Sequence, residues 1–96
     1  MEFDWDEHNL AHIALHGITR NAVELAMTTD PVHLRDEFRN EEVRRSWLGL
    51  TADGRILLVI VTERHGRLRP VTSFYVRESL RSFYWAKKGM SAHGKT

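Results

Sequence analysis

A run of six consecutive aliphatic residues, at positions 56–61, most constrains how this chain can fold. The run is too short for a typical buried helix and lacks polar alternation, so it predicts a strand buried on both faces of a sheet. The pattern breaks at residues 63–66, where Gly66 suits a tight turn, and β-forming residues resume over 67–76. The sequence therefore predicts a β-hairpin whose first strand lies at the centre of a sheet.

Helical patterns lie on both sides of these strands. Apolar residues at helical spacing predict helices over residues 7–16 and 20–28, with Asp6 and Thr19 as N-caps and Gly17 as the stop between them. A third helix is predicted over residues 77–88 and ends at Gly89. Residues 90–96 are expected to form a loose tail, which leaves one domain over residues 1–89.

The segment between the second and third helices predicts strands. Residues 32–39 are ambiguous and fit a short edge strand followed by a polar loop over 40–42, and residues 43–51 fit a second strand. Pro70 lacks a backbone N–H, so its strand is expected to face solvent there or to contain a bulge. Helices that precede a series of hairpin-linked strands predict an α+β fold with a mainly antiparallel sheet.

Composition excludes several classes of site and location. The chain has no cysteine, which excludes disulfides, thiolate zinc sites and a cysteine nucleophile, and which fits the reducing cytoplasm. Acidic residues near the N-terminus do not fit a secretory signal, and no apolar run is long enough to span a membrane. We therefore expect a cytoplasmic protein without a membrane partner.

The net charge of +1 conceals an uneven distribution along the chain. Residues 1–42 contain 10 acidic residues and 3 arginines, whereas residues 43–96 contain 11 lysines and arginines and 3 acidic residues. A cationic surface on a small domain is typical of nucleic-acid binding. The alternative is that the two halves of the chain fold against each other and neutralise their charges.

Three histidines, His8, His12 and His16, recur at a spacing of four residues on the first predicted helix. This spacing places them on one helix face, and a pair at i and i+4 can chelate a metal. No acidic residue shares that face at helical spacing, so a solvated or partner-facing row is the simpler interpretation. A catalytic or phosphate-facing role is best placed at His16, beside Gly17.

The second half of the chain contains residue types suited to cleaving RNA without a metal. This reaction needs a base for the 2′-OH, an acid for the leaving oxygen, and cations around the phosphate. Arginine suits the last role because its planar fork of donors binds two phosphate oxygens at once. Ordinary half-exposed surface positions remain the alternative for each residue. The candidates for catalysis are His16, Arg69, Arg77, Glu78, Arg81 and Tyr84, and those for RNA binding are Arg55, Arg64, Arg67, Tyr75 and Lys87.

Short motifs follow one another in a fixed order over residues 3–85. They are Phe3-Asp4-Trp5-Asp6-Glu7, His12, His16-Gly17-Ile18, Asp30-Pro31, Trp47-Leu48-Gly49, Asp53-Gly54-Arg55-Ile56-Leu57 and Thr62-Glu63-Arg64, followed by residues 67–73 and the closing helix. In this order the chain resembles the BrnT-type toxins of bacterial type II toxin–antitoxin systems.

This resemblance implies a RelE-like fold with two N-terminal helices, a mainly antiparallel sheet of four to five strands, and a C-terminal helix. It implies a toxin that cleaves RNA without a cofactor and inhibits translation, with its active surface on the sheet and the last helix. The implied partners are RNA and a BrnA-like antitoxin, a small ribbon-helix-helix DNA-binding protein with which the toxin can form an oligomer.

Two positions depart from the family pattern. Phe74 stands where the family has an arginine, and Leu80 stands where it has a glutamate, whereas Arg81 matches. Arg77 and Glu78 offer a replacement pair one turn earlier. The alternative to a ribonuclease is therefore a module that binds RNA or antitoxin with weak or no cleavage.

Overall fold

The computed structural model describes residues 1–89, so the tail expected over residues 90–96 lies outside the described part of the chain. The described residues form three helices and four strands, in an α+β arrangement that confirms the fold class expected from the sequence. In chain order these elements are α1 (Glu7–Ala14), α2 (Arg20–Thr28), β1 (Val32–Arg39), β2 (Glu42–Leu50), β3 (Ile56–Arg64), β4 (Arg67–Tyr75) and α3 (Glu78–Lys87).

The four strands form one antiparallel sheet in the order β1-β2-β3-β4, so β3 has a neighbour on each side. Its aliphatic residues are covered on both faces, as the six-residue run predicts. Leu57, Val59 and Val61 pack in the cluster formed with α1 and α2. Ile56 and Leu58 pack on the opposite face, against Tyr84 of α3. The sheet is therefore the middle layer of three.

Helix α2 approaches the sheet most closely at Gly49 of β2. A Cβ atom at this position would lie 2.3 Å from the carbonyl oxygen of Ala26, which is closer than any real contact. Ala26 and Val23 are fully buried beneath the helix. The absence of a side chain at Gly49 therefore sets the distance between α2 and the sheet.

Two of the three hairpins have two-residue turns with positive φ at both central positions, the type I′ geometry that matches strand twist. Asn40 and Glu41 have φ values of 52° and 64°, and His65 and Gly66 have values of 55° and 75°. The polar loop expected over residues 40–42 is therefore shorter than predicted, since Glu42 already belongs to β2.

The helix ends follow the signals in the sequence. The Asp6 side chain accepts hydrogen bonds from the backbone N–H groups of His8 and Asn9, and the Thr19 side chain accepts one from Ala22. Helix α1 ends at Ala14, two residues earlier than expected, and the chain turns through Gly17 at a φ of 72°. Both N-caps predicted from the sequence are confirmed.

The N-terminal segment adds a short parallel bridge to the outer edge of β4. The Asp4 N–H donates to the Leu68 carbonyl at 2.8 Å, and the Leu68 N–H donates to the Glu2 carbonyl at 3.0 Å. Beyond this bridge the pairing of β3 with β4 shifts register next to Pro70. The bulge expected from the missing N–H of Pro70 is therefore present.

Asn9 of α1 fastens the N-terminal segment to β4. Its Nδ2 donates to the carbonyl oxygens of Asp4 at 2.9 Å and of Pro70 at 3.0 Å, and its Oδ1 accepts from the Asp6 N–H at 2.9 Å. The side chain is only 3% exposed. One amide thus joins two separate pieces of backbone, the N-terminal segment and strand β4.

Candidate functional site

The cationic residues singled out in the sequence collect at the two ends of strand β4. Arg64, Arg67 and Arg69 lie at the hairpin end, where β3 turns into β4. Arg77 and Arg81 lie at the other end, where β4 leads into α3. A nine-residue strand is about 26 Å long from its first to its last residue. The two groups therefore do not form a single continuous patch.

At the hairpin end, each arginine is paired with an acid of the N-terminal segment. Arg64 lies 2.9 Å from Asp4, and Arg69 lies 3.0 Å from Asp6 and 3.6 Å from Asp4. Arg67 lies 3.3 Å from Glu2. The acidic first part of the chain therefore neutralises the basic second part at this end of the sheet.

Arg69 is the most enclosed of these arginines, with a side chain only 16% exposed. The hydrogen bond from Arg69 is the main cause that lowers the pKa of Asp6, with smaller contributions from the backbone of Asn9 and His8. Two carboxylates already balance the charge of this guanidinium and its Nη1 is buried, so its attraction for a phosphate is weak. The structure thus gives Arg69 an intramolecular partner in place of the phosphate contact predicted from the sequence.

At the other end of β4, two adjacent clefts open at the junction between β4 and α3. A cleft of about 500 Å³ and a cleft of about 170 Å³ share the side chains of Tyr75 and Val76. We call this region the junction site, and we define it by the five predicted residues that line the two clefts. These residues are His16, Arg55, Tyr75, Arg77 and Arg81.

Arg55 is held over the ring of Tyr75 by the turn between β2 and β3. Its Cζ lies 3.8 Å from the centre of the ring, and its Nη2 donates to the Tyr75 hydroxyl at 3.0 Å. Its Nε donates to Asp53 at 2.9 Å. The antiparallel register, which places Leu57 opposite Tyr75, brings this turn next to the end of β4. Arg55 is thus oriented by contacts on two sides.

The carboxylate that orients Arg55 is itself fixed by Thr51. The Thr51 hydroxyl lies 2.5 Å from Asp53 Oδ1 and also accepts a hydrogen bond from the Arg55 N–H at 3.0 Å. The Thr51 hydrogen bond, followed by that from Arg55, lowers the pKa of Asp53 to about 2. Asp53 therefore stays ionised at neutral pH and keeps a charge-assisted contact to the guanidinium.

Arg77 and Arg81 lie at the start of α3, on one helix face because they are four residues apart. Arg77 is the N-cap and makes no side-chain capping bond, and within residues 1–89 neither arginine has an ion-pair partner. The positive end of the helix dipole adds to their charge. Arg77 and Arg81 are thus predicted cations of the junction site that remain available to an anion.

His16 reaches the junction site from the turn after α1. Its ring lies 6.1 Å from the ring of Phe74, and both side chains line the larger cleft. His8 and His12 instead line a separate cleft with Arg44 and other residues at the hairpin end. Within residues 1–89 no group of three His, Cys, Asp or Glu residues is arranged to hold a metal ion.

The remaining predicted residues lie on α3, outside the two clefts. Glu78 is exposed in the first turn, next to Arg77. Tyr84 is 3% exposed and packs against the sheet beside Leu48. The Lys87 ammonium lies 5.5 Å from the centre of the Phe83 ring, near the end of the helix. Glu78 therefore remains next to the cations, whereas Tyr84 belongs to the core.

Three further residues of the site had only weak signals in the sequence. Asp53 reads as part of a turn, and Thr51 reads as the last residue of a strand, so neither indicates a contact to Arg55. Phe74 departs from the family pattern and is 38% exposed beside His16. The β2–β3 turn contributes to the site because the sheet register brings it there.

Comparison of the sequence with protein-family models and with curated proteins gave no match. Among the described helices, which end at residue 87, none has the length and apolar character needed to cross a membrane.

Proposed function

We propose that this protein is the toxin of a type II toxin–antitoxin system, with a RelE-like fold of the BrnT type, and that it cleaves RNA at the junction site. One observation supports this proposal most strongly. Three arginines from two separate parts of the chain, a tyrosine and a histidine line adjoining clefts at one end of β4. Such a combination of cations and an imidazole suits the phosphate backbone of RNA.

The proposed reaction uses the chain's own side chains and no metal. Glu78, which is exposed in the first turn of α3 beside the clefts, takes the proton from the ribose 2′-OH of RNA that extends over this turn. The 2′ oxygen then attacks the adjoining phosphorus. The bond from phosphorus to the 5′ oxygen breaks, and protonated His16 donates a proton to that leaving oxygen. Arg77 and Arg81 bind the phosphate and stabilise the added negative charge. The products are a 2′,3′-cyclic phosphate and a 5′-OH.

The assignment differs in two ways from the one expected from sequence alone. Arg69 is left out because it is paired with Asp6 and Asp4 at the other end of β4. Tyr84 is left out because its side chain is buried beneath α3. His16 is then the remaining candidate for the acid.

Inducible expression in bacteria tests the function. We expect the wild-type chain to arrest growth and to degrade RNA, and we expect Arg77→Ala with Glu78→Ala to relieve both effects. Arg45→Ala is the matched control, because Arg45 is a half-exposed arginine on β2 that lines neither cleft of the junction site. Growth and bulk RNA that stay normal during wild-type expression would contradict the ribonuclease proposal.

A module that binds RNA without cleaving it is the second candidate. Phe74, which stands where the family has an arginine, and the buried phenol of Tyr84 favour this candidate. Among the described residues that line the two clefts, His16 then supplies the imidazole and Tyr75 the phenol. This alternative predicts RNA binding that weakens steeply with salt and yields no cleavage products on a gel. Loss of binding in Arg77→Ala without any wild-type cleavage would favour it over the ribonuclease.

The proposed partner is a ribbon-helix-helix antitoxin encoded next to the toxin gene, together with which the chain forms an oligomer. Exposed apolar side chains near the junction site, such as Phe74, offer a surface that a protein partner would cover. Co-expression of the neighbouring reading frame is expected to restore growth and to co-purify with the chain. Failure of every neighbouring frame to do so would contradict the partner proposal.

A further inference from the structure

The guanidinium of Arg55 has one face covered and one face open. The covered face lies over Tyr75, with Cζ 3.8 Å from the ring centre. The side chain as a whole is 57% exposed, so its other face is accessible to solvent. A planar group supported from behind by a ring is a surface on which another flat group can stack.

This surface is held in place before any ligand arrives. Asp53 accepts from Arg55 Nε at 2.9 Å, and Tyr75 accepts from Nη2 at 3.0 Å. Thr51, which is only 7% exposed, fixes Asp53 in turn. Because the guanidinium is already oriented, a ligand that stacks on it loses less side-chain entropy than it would on a free arginine.

The cleft beside Arg55 also contains a cation that can reach a phosphate. Its volume is about 170 Å³, and Arg81 of α3 lines it together with Ile56 and Val76. Arg55 thus shares one cleft with apolar side chains and with a second guanidinium. This combination of a stacking plane and a separate cation fits a nucleotide, which has a flat base and an anionic phosphate.

We propose that Arg55, supported by Tyr75, is a stacking subsite for one unpaired RNA base, with Arg81 on the adjoining phosphate and with Thr51 and Asp53 as positioning residues. This inference rests on the proposed function, because it specifies how the junction site selects its RNA. A base in a single strand can be splayed out to expose a π-face, whereas a base in a duplex has both faces covered by its neighbours. The subsite therefore selects single-stranded RNA.

Binding of short 2′-O-methyl RNA tests the subsite, since this probe lacks the 2′-OH nucleophile and stays intact. The wild-type chain is expected to bind a labelled single strand about tenfold more tightly than the duplex of the same strand. Arg55→Lys keeps the charge but loses the plane, so we expect it to abolish this preference while duplex binding stays the same. Arg81→Ala is expected to weaken both probes alike and to reduce the salt slope.

Asp53→Asn tests the positioning residues, because the Asp53 side chain is exposed and asparagine has nearly the same size and shape. We expect it to reduce the preference for the single strand while binding of the duplex does not weaken, a split that a general loss of stability would not produce. Arg45→Ala is the matched control, with a side-chain exposure of 53% and a carboxylate partner of its own. It is expected to leave the preference unchanged.

The possible failures are distinguishable. If the wild-type chain binds neither probe, both the proposed function and the subsite are overturned. If it binds both probes equally, or if Arg55→Lys weakens them equally, the subsite is wrong and the RNA-binding proposal stands. If the removal of single bases from the strand never weakens binding, stacking on Arg55 is likewise excluded.

Discussion

Replacing Asn9 by aspartate would test how the N-terminal segment is attached to the sheet. The change substitutes an oxygen for the Nδ2 group that donates to the carbonyl oxygens of Asp4 and Pro70, at 2.9 and 3.0 Å. Loss of the donor costs about 2 kcal/mol at the buried Pro70 carbonyl and about 1 kcal/mol at the partly buried Asp4 carbonyl, so we expect a loss of about 3 kcal/mol at pH 7. This is a large part of the total stability of about 5–15 kcal/mol that is typical of small domains.

The cost should shrink in acid. The introduced carboxyl is buried and faces two carbonyl oxygens, so its pKa in the folded state is raised above its unfolded value. The folded variant then binds a proton that the unfolded chain does not, and its stability rises as the pH falls through the folded pKa. The protonated group donates one hydrogen bond, which should recover about 2 kcal/mol.

Urea denaturation of the wild type, Asn9→Asp and Asn9→Ala at pH 7 and pH 5 measures these effects. The alanine variant is the control, because it also loses both Nδ2 hydrogen bonds but has no carboxyl to titrate; its additional loss of the bond from the Asp6 N–H is independent of pH. The difference in unfolding free energy from the wild type should narrow toward pH 5 for Asn9→Asp alone. Amide exchange at Asp4 and Leu68 should accelerate in both variants, since these two N–H groups form the bridge. Equal differences at the two pH values would refute the reasoning.

Three further predictions follow from the backbone and from one carboxylate. Gly49→Ala should lower the free energy of unfolding by about 3 kcal/mol, because the new Cβ would meet the Ala26 carbonyl. Gly17→Ala is the control, since its Cβ has open space and only the positive φ costs about 1–2 kcal/mol. Equal losses in the two variants would argue against the close approach at Gly49. Glu41→Gly should raise stability by about 0.5–1 kcal/mol, because glycine removes the strain of a left-handed residue. This gain exceeds the cost of the larger conformational entropy that glycine gives the unfolded chain. A lower melting temperature would contradict this. Ionised Asp53 stabilises the fold above its unfolded pKa of 3.8, and this stability is lost as the pH falls toward about 2. Between pH 4 and pH 2, Asp53→Asn should therefore lose less stability than the wild type, as thermal melts can show.

The fold was predictable where a local pattern reports burial. The aliphatic run in β3 indicates burial on both faces, and the caps at Asp6 and Thr19 mark the starts of two helices. The bounds of β1 agree with the edge strand expected over residues 32–39. The assignment was ambiguous because most of its residues are exposed and the alternation of apolar and polar residues stops after Arg35. Glu41 gave no turn signal, because glutamate rarely adopts positive φ and the pairing of β1 with β2 imposes that conformation on it.

The site was predictable only in part because charge patterns do not specify partners. Arg77 and Arg81 share a helix face by their spacing, and the structure places both at the junction site. Arg69 has the same side chain, but its partner Asp6 lies 63 residues earlier in the chain. The parallel bridge and the Asn9 hydrogen bonds beside β4 bring these two residues together, and no sequence pattern indicates either of them. The sequence therefore identified the cations without showing which of them are neutralised.

The bridge between the N-terminal segment and β4 also sets an order of events during synthesis. The ribosome makes Glu2 and Asp4 long before it makes Leu68, so these first residues have no strand to pair with until most of the chain has emerged. Pairing over such a separation closes slowly because the loop entropy must be overcome first. Until then the arginines of the β3–β4 hairpin lack their carboxylate partners, and a newly made chain exposes more positive charge than the finished protein does.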